Sequence, residues 1–384
     1  MKLLISSGEW NAAMACVESL GKAGHLVDVL ASGDFVPAAQ SRWRSSAIRT
    51  PSEYLSPDYE RRLIDVLKTG GYDLFVPISE RAIDVAVKLR DRIEQHCNMI
   101  LPDAAAIRIA QDKTETQRLA EHLGVPTPRS LYPATMEDFP TAVAELGLPC
   151  VAKLPRSTGS LGVLVAETLD EVLEFVSKRG RKDNWPFLQA YEPGDTADVA
   201  VVCSHGKVVR SHAFYVEARH MIGGTPPFAR AIAEPAALEH HVDLIARALD
   251  WHGPLDFDYT LNAAGEYLLL ELNPRFSGTI TFALAARVDL PIALVDVAEG
   301  RSPQRVHSLE SVSQFRTGLE YELQWWLQSP LRRLPEWIAK RLDSRVRAIS
   351  RWNQPKVLLA QAVSAVRTLR NRRRKAIAIK KQRM

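Results

Sequence analysis

The segment Tyr267–Gly278, YLLLELNPRFSG, delivers a carboxylate, a carboxamide and a guanidinium between Glu271 and Arg275. The apolar run into Glu271 predicts a buried strand whose polar end opens onto a site. Asn273 lies two residues on and shares the strand face of Glu271, Pro274 ends ladder pairing, and Arg275 follows at once. Upstream, GPLDFDYTL (Gly253–Leu261) alternates apolar and acidic residues, and Ala263, Ala264 and Gly265 supply a hairpin turn that would set Asp258 beside Glu271. Two carboxylates and an amide oxygen suit a hard cation such as Mg²⁺, which takes oxygen ligands and shares them with nucleotide phosphates. Any one of these residues alone is what a solvated strand end presents. Together on one hairpin they predict a metal and phosphate edge.

Other segments must position that edge. KLLISS reads as a buried strand, NAAMACVESLGKAG as an amphipathic helix closed by glycine, and HLVDVLAS as a second strand. The helix PDYERRLIDVLKTGG, the strand DLFVPIS, the helix ERAIDVAVKLRDRIEQ and a short strand MILP continue the alternation, so the start is expected to be a doubly wound parallel sheet. Ser6, Ser7 and Gly8 stand where a G-x-G-x-x-G would follow the first strand, which gives no warrant for a dinucleotide cofactor. Further on, GLPCVAKLPRSTGSLGVLVAET has the form strand, small-residue loop, strand. Lys153 ends an apolar strand, an unusual place for an amine unless it faces a ligand. The loop Ser157, Thr158, Gly159, Ser160, Leu161, Gly162 is suited to cover a triphosphate with backbone N–H groups, without the spacing of a P-loop. RHMIGGTPPFARAIAE is a Gly- and Pro-rich excursion with Arg219 and Arg230 at its edges, either of which is placed to meet an anionic group through a bidentate contact.

A chain of 384 residues with 46% hydrophobic content can bury a sizeable core in two or three lobes. No signal-peptide pattern opens it and no apolar run reaches ~18 residues, so a cytoplasmic location is expected. Cys16, Cys97, Cys150 and Cys203 lack C-x-x-C spacing, which argues for buried reduced thiols rather than zinc or disulfides. The net charge of +4 hides an asymmetry: from residue 331 onward 17 basic residues face only Glu336 and Asp343, a balance of +15, which leaves −11 on residues 1–330. In LRRLPEWIAKRLDSRVRAIS, Leu334, Ile338, Leu342, Val346 and Ile349 recur at helical spacing between arginines, and a second helical pattern follows Pro355. Two uses compete for this tail: contact with an anionic membrane surface at the inner face, or packing on the body with a free end. Nucleic acid is the weaker option, since no aromatic platform accompanies the charge. Trp325, Trp326 and Trp352 suit either core packing or a homodimer contact.

Over roughly residues 1–300 the chain resembles the ATP-grasp superfamily, on the E-x-N-P-R strand, the acidic strand before it, Lys113, Lys153, the small-residue loop and the segment PFLQAYEPGD. The resemblance implies an N-terminal α/β domain (1–110), a two-lobed α+β ATP-grasp domain (111–305) and a basic helical extension (306–384). It implies that Asp258, Glu271 and Asn273 hold two Mg²⁺ ions, with Mn²⁺ as a substitute, and that Asp256 on the same face adds a carboxylate. Lys113, Lys153, Ser157, Thr158, Gly159, Ser160, Gly162 and Asp198 would contact ATP, and main-chain groups of Gln189, Ala190, Tyr191 and Glu192 would read the adenine edge. Arg275, with Arg219 and Arg230, would steady the transferring phosphate, and Ser79, Glu80 and Arg81 would help hold the acceptor.

The reaction so implied is ligation: a small-molecule carboxylate attacks the γ-phosphate of ATP, and an amine captures the acyl phosphate. A carboxylase or carbamoyl-phosphate-type enzyme is the alternative, and an ATP-binding scaffold recruited to a membrane is the non-enzymatic one. The substrates themselves have no signature in the sequence.

Overall fold

The computed structural model describes the chain apart from residues 53, 158–161, 182–183, 219–224, 233–234, 302–313 and 382–384, and from 372 to 381 it describes the backbone. The first sheet is all parallel: β1 (Lys2–Ile5), β2 (Leu26–Ala31), β3 (Ser46–Arg49) and β4 (Leu74–Val76) lie in the order β3-β2-β1-β4. Leu3, Leu4, Ile5, Val27 and Val29 are buried because helices cover both faces, so these strands read as continuous apolar runs. Helix Pro57–Gly70 illustrates how firmly the ends are fixed. Ser56 accepts a hydrogen bond from the Tyr59 N–H, Pro57 opens the first turn, and Gly71 closes it with φ 60°.

The edge strand β3 is largely exposed and carries no apolar run. Two local expectations change here. MILP is not a strand; the only pairing in that region is a single bridge between Leu74 and Asn98. The helix expected over 80–95 breaks at Leu89 into Glu80–Lys88 and Arg90–Glu94.

A small antiparallel sheet follows, from β5 (Ser130–Leu131), β6 (Cys150–Lys153), β7 (Val163–Ala166) and β8 (Phe187–Ala190), in the order β5-β8-β6-β7. Helices Phe139–Leu146 and Leu169–Arg179 seal it through Phe139, Val143, Val172 and Val176. The large sheet comprises β9 (Thr196–Ser204), β10 (Lys207–Ala218), β11 (Phe228–Ala231), β12 (Gly253–Leu261), β13 (Tyr267–Asn273), β14 (Gln314–Arg316) and β15 (Val346–Arg347), ordered β13-β12-β9-β10-β11-β14-β15. β12 and β13 form the hairpin read from the sequence. Gly265 turns it with φ 83°, and the Asn262 carboxamide oxygen accepts from the N–H groups of Ala264 and Glu266.

The C-terminal helices Leu319–Trp326, Pro330–Leu342 and Pro355–Lys381 are tied to the body. Val357 joins a core that includes β1 and helix Asn11–Lys22, and Arg351 pairs with Glu18 at 2.8 Å with both side chains almost wholly buried. Gln354 donates to the other Glu18 oxygen. The helix expected through Ile349 stops at Leu342; Val346 instead lies in β15, which pairs parallel to β14 and turns the chain back onto the large sheet. Trp325 is buried against Phe228, whereas Trp352 is 77% exposed.

Candidate functional site

Strand parity sets the centre of the site. Asp258 pairs with Glu271 and Asp256 with Asn273 across β12 and β13, while Asp198 on β9 pairs with Asp258 from the other side. Every second residue faces one way, so Asp198, Asp256, Asp258, Glu271 and Asn273 all reach a cavity of about 470 Å³. From the small sheet come Lys153, at the end of β6, and Ser157, and from helix Lys113–His122 its first residue. The far wall is N-terminal: Trp10 and Glu80. All these line one space although they come from seven separate stretches of chain, from Trp10 to Asn273.

Lys113 is where the lobes meet. Its ammonium lies 2.9 Å from Glu271 and donates to the Ser157 carbonyl at 3.1 Å, and its N–H donates to the Pro155 carbonyl. Asp112 caps the helix by accepting from the N–H groups of Thr114 and Glu115, which fixes where Lys113 points. At the base of the loop, Leu154 donates to the Gly162 carbonyl, and a Cβ on Gly162 would fall 2.4 Å from that of Ser157. Only glycine allows that approach.

The electrostatics are those of crowded carboxylates. Burial pushes the Asp258 carboxyl well above the usual carboxylate range, and Asp198, Glu271 and Asp256 push in the same direction. Burial also lifts Asp256 to about 7 against the pull of Arg275 and Ser277. For Glu271 burial alone would act upward, yet Lys113, a hydrogen bond with Asp258 and Lys153 bring it down to about 2. Lys153 is lowered to about 8, chiefly by burial, with Lys113 adding to it.

Arg275 bridges the acidic hairpin and the N-terminal wall. It donates to the Asn273 carboxamide oxygen at 3.1 Å and to Glu80 at 3.4 Å, and its guanidinium stands 5.8 Å from the centre of the Trp10 ring. Asn11 anchors the same seam by donating to the Gly278 carbonyl at 2.7 Å. Ser79 caps the next helix by accepting from the Ala82 N–H and does not line the cavity, and neither does Arg81.

Other expected site residues stand elsewhere. Gln189 is buried and donates to Gln117 and Ser130, and the Ala190 N–H donates to the Arg129 carbonyl. Neither they nor Tyr191, Glu192 or Gly162 line the cavity. Arg230 is turned away, bound to Asp195 at 2.8 Å and stacked 4.0 Å from the Tyr215 ring centre. Thr158, Gly159, Ser160, Leu161 and Arg219 lie outside the described residues. Sequence reasoning missed Trp10, Thr196, Ser277 and Thr279 as lining residues; no spacing links Trp10 to a strand some 260 residues later, because the fold alone brings them together.

The donor set fits a hard divalent cation. The Asp256 Oδ1 is buried without a hydrogen-bond partner, and the buried carboxylates beside it repel one another, a situation that a cation relieves. Among the described residues no three His, Cys, Asp or Glu side chains form a ready cage. An ion here therefore needs oxygens beyond the carboxylates, from Asn273 and from phosphate.

The family model described as ATP-grasp in the biosynthetic pathway with Ter operon matches residues 188–318, from β8 through β14. A D-alanine–D-alanine ligase of Ectopseudomonas mendocina is 26% identical over 178 residues, which are 44% of this chain and 56% of that protein. The chain spans about half the length of the curated relatives it matches. Among solved structures, the biotin carboxylase β,γ-ATP complex from Campylobacter jejuni superposes with a TM-score of 0.65 at 16% identity, covering 78% of this chain and 71% of that one. The biotin carboxylase domain of Hydrogenobacter thermophilus 2-oxoglutarate carboxylase, solved with MgADP and bicarbonate, gives 0.64 at 14% identity, covering 79% and 71%. Residues 188–318 thus match an ATP-grasp family model, and over about four fifths of its length the chain has the fold of these solved structures.

Proposed function

We propose that this chain is an ATP-dependent carboxylate–amine ligase that activates a small-molecule carboxylate as its acyl phosphate and releases ADP and phosphate. The observation that carries the reading is the register of β12 and β13, which stacks Asp258 on Glu271 and Asp256 on Asn273 beside two lysines from other elements. The residues support a division of labour. Lys113, Lys153 and Ser157 receive the triphosphate of ATP. Asp258, Glu271 and Asn273, backed by Asp198 and Asp256, would hold one or two Mg²⁺ or Mn²⁺ ions. When bound, the metal supplies positive charge against the phosphate oxygens.

Arg275 does the work nearest the transfer. A guanidinium held by Asn273 and Glu80 offers its remaining N–H groups to the phosphoryl group as charge develops on it, with no reorganisation needed at that moment. The substrate carboxylate attacks the γ-phosphorus, ADP leaves, and the amine then attacks the acyl carbon and expels phosphate. Catalysis is placement and electrostatics, without a covalent enzyme intermediate. Residues 1–110 would present the acceptor beside Trp10 and Glu80, and residues 111–305 the nucleotide. For residues 331–384 we propose recruitment to an anionic surface.

The test is incubation with ATP, Mg²⁺, hydroxylamine and a panel of amino acids and sugar acids, reading ADP and hydroxamate. Glu271→Ala should lower the rate by about 100-fold or more while the protein stays folded. Full activity in that variant, or no ADP with any acceptor, contradicts the proposal.

A further inference from the structure

Helix Pro330–Leu342 is mounted inside out. At 100° per residue, Leu331, Leu334, Pro335, Ile338 and Leu342 share an arc about 100° wide, and this is the face turned to solvent. Leu331 is 93% exposed and Leu342 80%, and none of the helix's residues is buried. The opposite, cationic side faces the protein. Lys340 pairs with Glu217 and Arg341 with Glu322, while Arg333 donates to the Trp325 carbonyl and stacks on its ring. Trp337 donates to Glu322 and stacks on Trp326. An ordinary surface helix would bury its leucines and hydrate its arginines. Here a buried Glu322 and a half-buried Glu217 hold the basic side down, so the apolar stripe has nowhere to go but outward.

We propose that this stripe is a docking face for an anionic membrane surface, with Leu331, Leu334, Ile338 and Leu342 entering the boundary between headgroups and acyl chains. The charge around it selects the occupant. Arg332 is exposed beside the stripe, Arg345 lies just beyond the helix paired with Asp343, and residues 331–384 carry 17 basic residues against two acidic ones, a surplus that remains after Lys340, Arg341 and Arg351 pair with acids of the body. Anionic headgroups complement that surplus, whereas a second copy would bring the same positive extension against it. The stripe is ~16 Å long, enough for an interfacial contact and far short of a span. Among the described residues no helix is long and apolar enough to cross a membrane. This inference rests on the recruiting role proposed for residues 331–384 and is independent of the ligase reaction.

The experiment is co-sedimentation of the full chain with vesicles of phosphatidylcholine alone and of phosphatidylcholine mixed with phosphatidylglycerol. It compares wild type with L331S/I338S/L342S, whose exposed positions leave the core untouched. The expected result is binding to the anionic vesicles only, weakened by salt, with the triple variant binding about tenfold or more weakly. Equal binding by the variant overturns the stripe while leaving recruitment by the basic residues standing. Absence of wild-type binding at low salt overturns both. A wild-type dimer in sedimentation equilibrium that the variant splits would assign the stripe to a second copy instead.

Discussion

At the residue scale the site rests on two lysines that differ in their surroundings. Lys113 is neutralised by Glu271 at 2.9 Å, whereas Lys153 is buried and lowered to about 8. Burial disfavours the ammonium, so Lys153 is charged below about pH 8 and loses its proton as pH rises through that value. A triphosphate binds the charged form. Nucleotide affinity should therefore fall above about pH 8, by roughly fivefold over a unit or two, and Lys153→Arg should flatten the profile because a guanidinium keeps its charge. Titrating ATP by fluorescence or calorimetry across that range checks it, and parallel profiles for the two proteins would remove Lys153 from the phosphate site. Lys113 also marks a limit of reading residues one at a time. The first residue of a helix is ordinarily exposed, and nothing in Asp-Lys-Thr-Glu distinguishes this lysine until the small sheet and β13 close over it.

At the scale of elements, the C-terminal helices are joined to the body by buried polar contacts. Glu320 on helix Leu319–Trp326 accepts from Ser364 on helix Pro355–Lys381 at 2.7 Å, and burial raises its carboxyl from the ordinary 4.5 to about 7. Its folded-state pKa lies above the unfolded one, so folding takes up a proton between these values. The stability this confers is complete below about pH 4.5 and is lost as pH rises through 7. Glu320→Gln, which keeps an acceptor for Ser364, should lose that slope and gain on the order of 2 kcal/mol on wild type between about pH 5 and 8. Denaturant midpoints at both ends of the range measure it. Midpoints that move in parallel would mean that Glu320 ionises freely in the folded protein.

Periodicity made much of this legible. A period of two put Glu271 with Asn273 and Asp256 with Asp258 on one face, because parity within a strand does not depend on tertiary context. The alternating βαβ pattern gave the parallel sheet for the same reason. In helix Pro330–Leu342 the apolar stripe was equally plain, but a moment gives two faces and does not say which is inside. That choice was made by Glu217 and Glu322, over one hundred residues away in one case and on the preceding helix in the other. Leu342 as the helix end, with Val346 turning into β15, followed from a parallel pairing to β14 that no local pattern announces.

At the scale of the whole molecule, three sheets meet around one cavity. The large sheet contributes the acids, the small sheet Lys153 and Ser157, and the N-terminal sheet's connections Trp10 and Glu80. Arg275 joins the acidic hairpin to the N-terminal wall through Glu80, 195 positions earlier. Such a site works only if its acidic oxygens face a cation and a triphosphate together, and this is the claim on which the ligase reading depends. Isothermal titration of the full chain with ATP, in the presence and absence of Mg²⁺, measures it directly. Binding heat should require Mg²⁺, and the double substitution D258N/E271Q should reduce the metal-dependent affinity by about 100-fold. Equal ATP affinity with and without Mg²⁺, or an unchanged affinity in the doubly substituted protein, would contradict the account.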